Sequence, residues 1–109
     1  MNLRDKLQNL NTAFHENVSL HNEGVVKEYL TRLPTYLEDT AASGKEEFRV
    51  CVTSSIFITM DSPLIKLRSD INWSSIHKIF NNFAMENSLS LKTIPYMEYH
   101  AYVFDWKRK

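Results

Sequence analysis

Catalysis and metal binding need convergent groups, and this chain scatters its own. His15, His21, His77 and His100 stand singly. Only His15 and His21 are near one another, at a spacing that does not match a helical metal pair. His100 is the most interestingly placed, because Tyr96, Glu98 and Tyr102 alternate with it on one face of an expected strand. A Glu98/His100 pair there suits cross-strand polar contact more readily than acid–base work. Cys51 lies between Val50 and Val52, where a free thiol behaves as a small hydrophobe, and Arg49 is its only basic neighbour. One cysteine excludes an intramolecular disulfide and a cysteine-based zinc site. Asp61, Asp70 and Asp105 form no nuclease-like cluster by spacing. The chain has no G-x-S-x-G motif, and its two glycines make no phosphate-cradling loop. These residues predict no enzyme, no metal site and no cofactor.

Composition narrows the classes further. The 109 residues are 43% hydrophobic and 24% charged, the arithmetic of one globular domain over 1–109. Thirteen Lys+Arg balance thirteen Asp+Glu, so neither a bulk polycation for nucleic acid nor an acidic mimic of it is expected. Aromatics at 12%, with two Gly and three Pro, exclude intrinsic disorder. No apolar run approaches the ~20 residues of a membrane span. The stretch MNLRDKLQNL lacks the apolar centre of a signal peptide. The expectation is a soluble, cytoplasmic domain that does not engage membranes.

Charge is uneven along the chain. Residues 1–47 carry five basic and eight acidic side chains, and residues 48–109 carry eight basic and five acidic. Arg49, Lys66 and Arg68, with Lys78, Lys92 and the Lys107-Arg108-Lys109 run, make one positive surface if they share a face. Tyr96, Tyr99 and Tyr102 would then offer stacking platforms for bases. This nucleic-acid-binding module is the alternative reading; a zero net charge gives it no long-range attraction to phosphate.

The elements that position these residues follow from periodicity. Leu3, Leu7, Leu10 and Phe14, at spacings of four, three and four, form one helical stripe. This amphipathic helix, over 1–20, is too short to stand alone and must dock on its own domain, on a partner or on a second copy. His21-Asn22-Glu23-Gly24 is expected to break it. A second helix then buries Val25/Val26, Tyr29/Leu30, Leu33 and Leu37, kinks at Pro34 and stops at Gly44. From Phe48 to Met60 the period is two, a run long for one strand, with a bend expected near Ser54-Ser55. Leu64 to Ser69 reads as a return strand or a helical turn. Asn72 caps a third helix, with Ile71 and Ile76 as a hydrophobic staple and Trp73, Ile76, Ile79/Phe80 and Phe83 as its apolar stripe. Asn87 is the expected left-handed cap. Leu89 to Thr93 and Tyr96 to Trp106 read as strands. The order α-α-β(-β)-α-β-β implies an α+β, two-layer fold. Its sheet is antiparallel or mixed, of three to four strands, with helices mainly on one face.

The last strand is apolar on both faces, Tyr96/Tyr102/Phe104/Trp106 on one and Met97/Tyr99/Val103 on the other. Phe57, opposite Ile56 and Ile58, repeats the pattern. This is more large apolar surface than one covered face needs. Tyr96, Tyr99, Tyr102, Phe104, Trp106 and Phe57 are therefore the expected protein-binding residues. Leu3, Leu7, Leu10 and Phe14 are the expected oligomer contacts of a homodimer.

The span from Val25 to Trp106 resembles, in pattern, many small phage-encoded proteins. The matching pieces are Ala41-Ala42-Ser43-Gly44-Lys45 running into Phe48 to Val52, the helix Trp73 to Asn87, Ser88-Leu89-Ser90-Leu91, and Phe104-Asp105-Trp106. Asn87-Ser88 stands where a glycine is common, and the N-terminal heptad helix is extra. The resemblance implies a non-enzymatic viral accessory protein in the host cytoplasm. It would bind a host or viral protein, as an inhibitor or modulator of a host or defence protein, or serve as a minor virion component.

Overall fold

The computed structural model describes residues 2–55, 57–60, 63–69 and 71–107; Met1, Ile56, Asp61, Ser62, Asp70, Arg108 and Lys109 lie outside the described residues. The elements run α1 (Leu3–Ala42), β1 (Glu47–Thr53), β2 (Leu64–Lys66), α2 (Trp73–Glu86), β3 (Ser90–Pro95) and β4 (Tyr99–Asp105). The fold is α+β. Its four strands form one mixed sheet in the order β2-β1-β4-β3, with β1 parallel to β2 and the other neighbours antiparallel.

Where two N-terminal helices are expected, one helix of 40 residues runs through. The segment expected to break it is instead where it docks. Asn22, 2% exposed, accepts the backbone N–H of Arg68 at 2.8 Å and donates to the Arg68 carbonyl at 3.2 Å. Next to it, the Glu23 carboxylate accepts a hydrogen bond from the Ser75 hydroxyl in the first turn of α2. These tertiary bonds outweigh the poor helix propensity of Asn and Gly. The helix also continues through Pro34.

The caps explain why the helices end where they do. The Asn2 side chain accepts the Asp5 N–H at 2.9 Å, and Asn72 does the same for Ser75 at 3.3 Å. Gly44 takes a φ of +87° after α1, and the Gly44 and Lys45 N–H groups close on the carbonyls of Ala41 and Thr40. After α2 the left-handed residue is Ser88, at φ 55°, and not Asn87 as expected. Asn87 is the cap residue one position earlier, at φ −107°. Its amide donates to the Phe83 carbonyl at 2.8 Å.

Both helices contribute to one core on one side of the sheet. Val26 and Leu33 of α1 and Ile76, Phe80 and Ala84 of α2 meet Val50, Val52, Ile65, Tyr102 and Phe104. Tyr102 stacks on Phe80 with ring centroids 4.0 Å apart, and Phe104 meets Phe83 edge-on at 5.7 Å. The opposite face carries Arg49, Cys51 and Thr53 on β1 and Tyr99, Ala101 and Val103 on β4. Among the described residues no helix covers that face.

Strand β1 stops at Thr53, well short of Met60. Thr53 pairs with Tyr99, the first residue of β4, so beyond it the neighbouring strand has nothing left to offer. The chain leaves the sheet into a connection over 54–63 and returns as the short, parallel β2. Phe57 therefore sits in a loop and not on a strand face.

Helix α1 runs opposite to β1. Tyr36 stacks on Phe48 near the start of β1, whereas Asn22 and Glu23 meet residues past the end of β2 and at the start of α2. Upstream of Val18, residues 2–17 are all exposed. This stretch is an arm that leaves the body at the sheet end formed by Thr53, the first turn of α2 and the β3–β4 hairpin. It accounts for the elongated outline of 62 × 31 × 21 Å.

Candidate functional site

The sheet end is built around one hydroxyl. Thr53, fully buried, donates to the Glu98 carbonyl at 2.6 Å and accepts the Ser55 N–H at 3.0 Å. A single side chain thus ties the start of the 54–63 connection to the hairpin tip. Tyr96 and Tyr99 bracket that tip, joined by a 2.8 Å bond from the Tyr96 N–H to the Tyr99 carbonyl. Their rings stack at 4.5 Å. Arg49 reaches across from β1, its guanidinium 5.5 Å from the Tyr96 ring centre and 3.2 Å from the Tyr96 hydroxyl oxygen. Its pKa is raised above the ordinary arginine value by hydrogen bonding, first to Cys51 and then to Tyr96.

Between these pieces lies a cleft of about 260 Å³ lined by Ser54, Ser55, Trp73, Tyr96, Met97, Glu98, Tyr99 and His100. Met97 at the hairpin tip is 100% exposed, and Phe57, two residues beyond Ser55, is 86% exposed. The cleft offers polar walls with a large apolar side chain on the hairpin side and another on the connecting loop that follows Ser55. That arrangement suits a protein surface that brings apolar groups with hydrogen-bonding partners around them.

His100 closes the inner wall. Its ring lies on Trp73 at 3.7 Å between centroids, with His77 at 5.4 Å, and His77 meets Tyr102 edge-on at 5.5 Å. Nδ1 of His100, Nε2 of His77 and the Tyr102 hydroxyl are buried without a hydrogen-bond partner among the described residues. Burial first, and then the neighbouring His77, pull the His100 pKa below its ordinary value. Burial likewise pushes the Tyr102 hydroxyl far up. Glu98 is exposed at the tip and meets Thr53 through its backbone carbonyl. Among the described residues no group of three or more His, Cys, Asp or Glu is placed to hold a metal ion.

The protein-binding residues expected from sequence divide three ways. Tyr96 and Tyr99 line the cleft, and Phe57 follows its wall, with its backbone N–H on the Ser55 hydroxyl and its ring outside the lining. Tyr102 and Phe104 are 0% exposed and serve the core, because α2 packs on their face of β4. Half-buried Trp106 lies at the other end of the sheet, where its backbone N–H donates to the Glu46 carbonyl. Trp73, His77 and Met97 enter the site without having been expected there. Trp73 and His77 were legible only as part of a helix stripe and its flank, since nothing local says that a helix start will lie over a strand end.

The basic residues of the alternative reading are dispersed. Arg49 and Lys66 share the uncovered sheet face, Lys66 pairing in register with Thr53. The backbone of Arg68 is held by Asn22 of α1, on the helical side. Lys107 forms an ion pair with Glu47 at 3.5 Å. Arg108 and Lys109 fall outside the described residues.

A separate groove of about 460 Å³ lies between α1 and the sheet, lined by Tyr29, Tyr36, Asp39, Thr40, Phe48, Pro63 and Leu64. Burial, followed by the neighbouring Tyr36, pushes the Tyr29 pKa up to about 12. The Tyr29–Tyr36–Phe48 ring series makes this groove part of the seam that joins α1 to β1.

The arm completes the inventory. Leu3, Leu7, Leu10 and Phe14 are between 55% and 69% exposed, so the body does not cover the stripe. No described helix is long and apolar enough to cross a membrane. Protein-family models, curated proteins and solved structures were all compared with this chain, and none matches it.

Proposed function

We propose that the chain is a non-enzymatic protein-binding domain that engages a partner protein with the sheet end described above. The observation that carries this reading is the exposure of Met97 and Phe57 at one end of the sheet, in a molecule whose other large strand aromatics are mostly packed. Isolated apolar side chains on a surface are ordinary. Two of the most exposed among the described residues, near the end that holds a polar cleft and a Tyr96–Tyr99 stack, support a contact patch there. If the resemblance to phage accessory proteins holds, the partner is a host or defence protein and the domain acts as its inhibitor or modulator.

The competing nucleic-acid reading draws on Arg49 and Lys66 on the uncovered face. Against it, Tyr96 already carries Arg49 and stacks on Tyr99, and Lys107 is engaged by Glu47. A base would have to displace these contacts to stack there.

The test is affinity capture from the native host with the wild-type chain and with Met97→Glu and Phe57→Asp variants. Both positions are solvent-facing, so the variants keep the wild-type unfolding midpoint. One specific protein, retained by wild type and lost at least tenfold by each variant, supports the reading. Equal capture by all three chains, or retention on heparin that collapses between low and moderate salt, rejects it.

A further inference from the structure

We infer that two copies of the chain associate through their arms, paired antiparallel along the Leu3, Leu7, Leu10 and Phe14 stripe. This goes beyond the sheet-end reading and rests on different residues. The stripe is uncovered over its full length, and the body begins one turn later at buried Val18. Four large apolar side chains in one line on a solvated helix gain by being covered. The spacing of that stripe names the cover. Steps of four, three and four read the same from either end. In an antiparallel pair Leu3 therefore meets Phe14 of the copy, and Leu7 meets Leu10, giving four closed layers of the knobs-into-holes kind. Leu3 then stops opposite Phe14, just short of the body.

Charge selects the same orientation. Arg4 and Lys6 flank the stripe near the helix N-terminus, whereas Asp5 between them lies on the opposite side of the helix. Parallel pairing gathers both sets of cations and the positive ends of both helix dipoles within one turn. Antiparallel pairing sends them to opposite ends. Next to the stripe, Asn11 and Ala13 add no like-charge contact. Such a pair buries on the order of 1,000 Å² in total, the low end for a specific interface, which suits a weak association.

Sedimentation equilibrium of the full chain from about 5 to 500 micromolar tests the pairing, at concentrations that bracket a micromolar Kd. Wild type shifts from monomer to dimer over this range. Leu7→Asp and Leu10→Asp variants stay monomeric, with the unfolding transition of the body unchanged because both positions face solvent. Orientation is read by oxidative cross-linking, with the native Cys51 buried and out of reach. Leu3→Cys mixed with Phe14→Cys gives a disulfide-linked heterodimer. Either variant alone stays reduced, because like positions are then roughly 16 Å apart along the helices, beyond disulfide reach. Wild type that is monomeric at every concentration overturns the inference and leaves the sheet-end reading intact. Rapid self-linking by Leu3→Cys alone overturns the antiparallel arrangement.

Discussion

The side-chain amide of Asn22 holds both the N–H and the carbonyl of Arg68, 46 residues further along the chain. One polar side chain in the middle of a 40-residue helix thereby fixes the stretch between β2 and α2. Replacement by leucine keeps the branched outline, in a bulkier side chain, and leaves the Arg68 N–H facing an apolar neighbour. Asn22→Leu is expected to destabilise the fold by about 1–3 kcal/mol, read as a lower urea midpoint. Gly24→Ala, two positions on, is the control. A methyl there meets nothing within 4 Å and the backbone is helical, so stability rises by about 0.5–1 kcal/mol.

Ser88 occupies a position made for glycine. Its φ of 55° ends α2 in a motif where the Leu89 N–H bonds to the Ala84 carbonyl at 2.9 Å and the Ser88 N–H to Met85 at 3.2 Å. Ser88→Gly removes the side-chain strain and keeps both bonds, and it should raise stability by about 1 kcal/mol. Thermal unfolding checks this; a lower melting temperature would contradict it.

The His100 pKa predicts an acid-sensitive fold. The native environment holds the imidazole neutral, whereas in the unfolded chain it titrates near its ordinary value of about 6.5. Above neutral pH both states are neutral and His100 contributes no slope. As the pH falls through about 6.5 the unfolded state takes up the proton first, so stability declines. Denaturation midpoints at pH 7.5 and pH 5 should differ, and His100→Gln should flatten the difference.

Thr53 should matter more to the sheet end than its size suggests. Thr53→Val keeps the shape and removes the bonds to Glu98 and Ser55, at an expected cost of about 1–3 kcal/mol. Hydrogen exchange at the Ser55 amide should rise, whereas Thr53→Ser should keep it protected.

Local chemistry was readable wherever one residue type has one job. Asn72 and Gly44 cap helices as their types predict, and the α2 stripe packs through Ile76 and Phe80. What the residues could not express was partnership at a distance. Alternation runs from Phe48 to Met60, yet the strand ends at Thr53 because its neighbour begins at Tyr99. A last strand apolar on both faces does not say which face α2 will take, so Tyr102 and Phe104 were as eligible for the surface as Tyr99. The His-Asn-Glu-Gly run looked like a break because its bonds to Arg68 and Ser75 lie far along the chain.

That α1 is unbroken has a geometric consequence. Stripe and body share one helical phase, like marks on a single shaft. Inserting one residue between Phe14 and Val18 would swing the leucines through about 100° around the shaft relative to the hairpin, whereas inserting seven would shift them by only about 20°. Whatever grips the shaft therefore also sets the direction in which Met97 and Phe57 point.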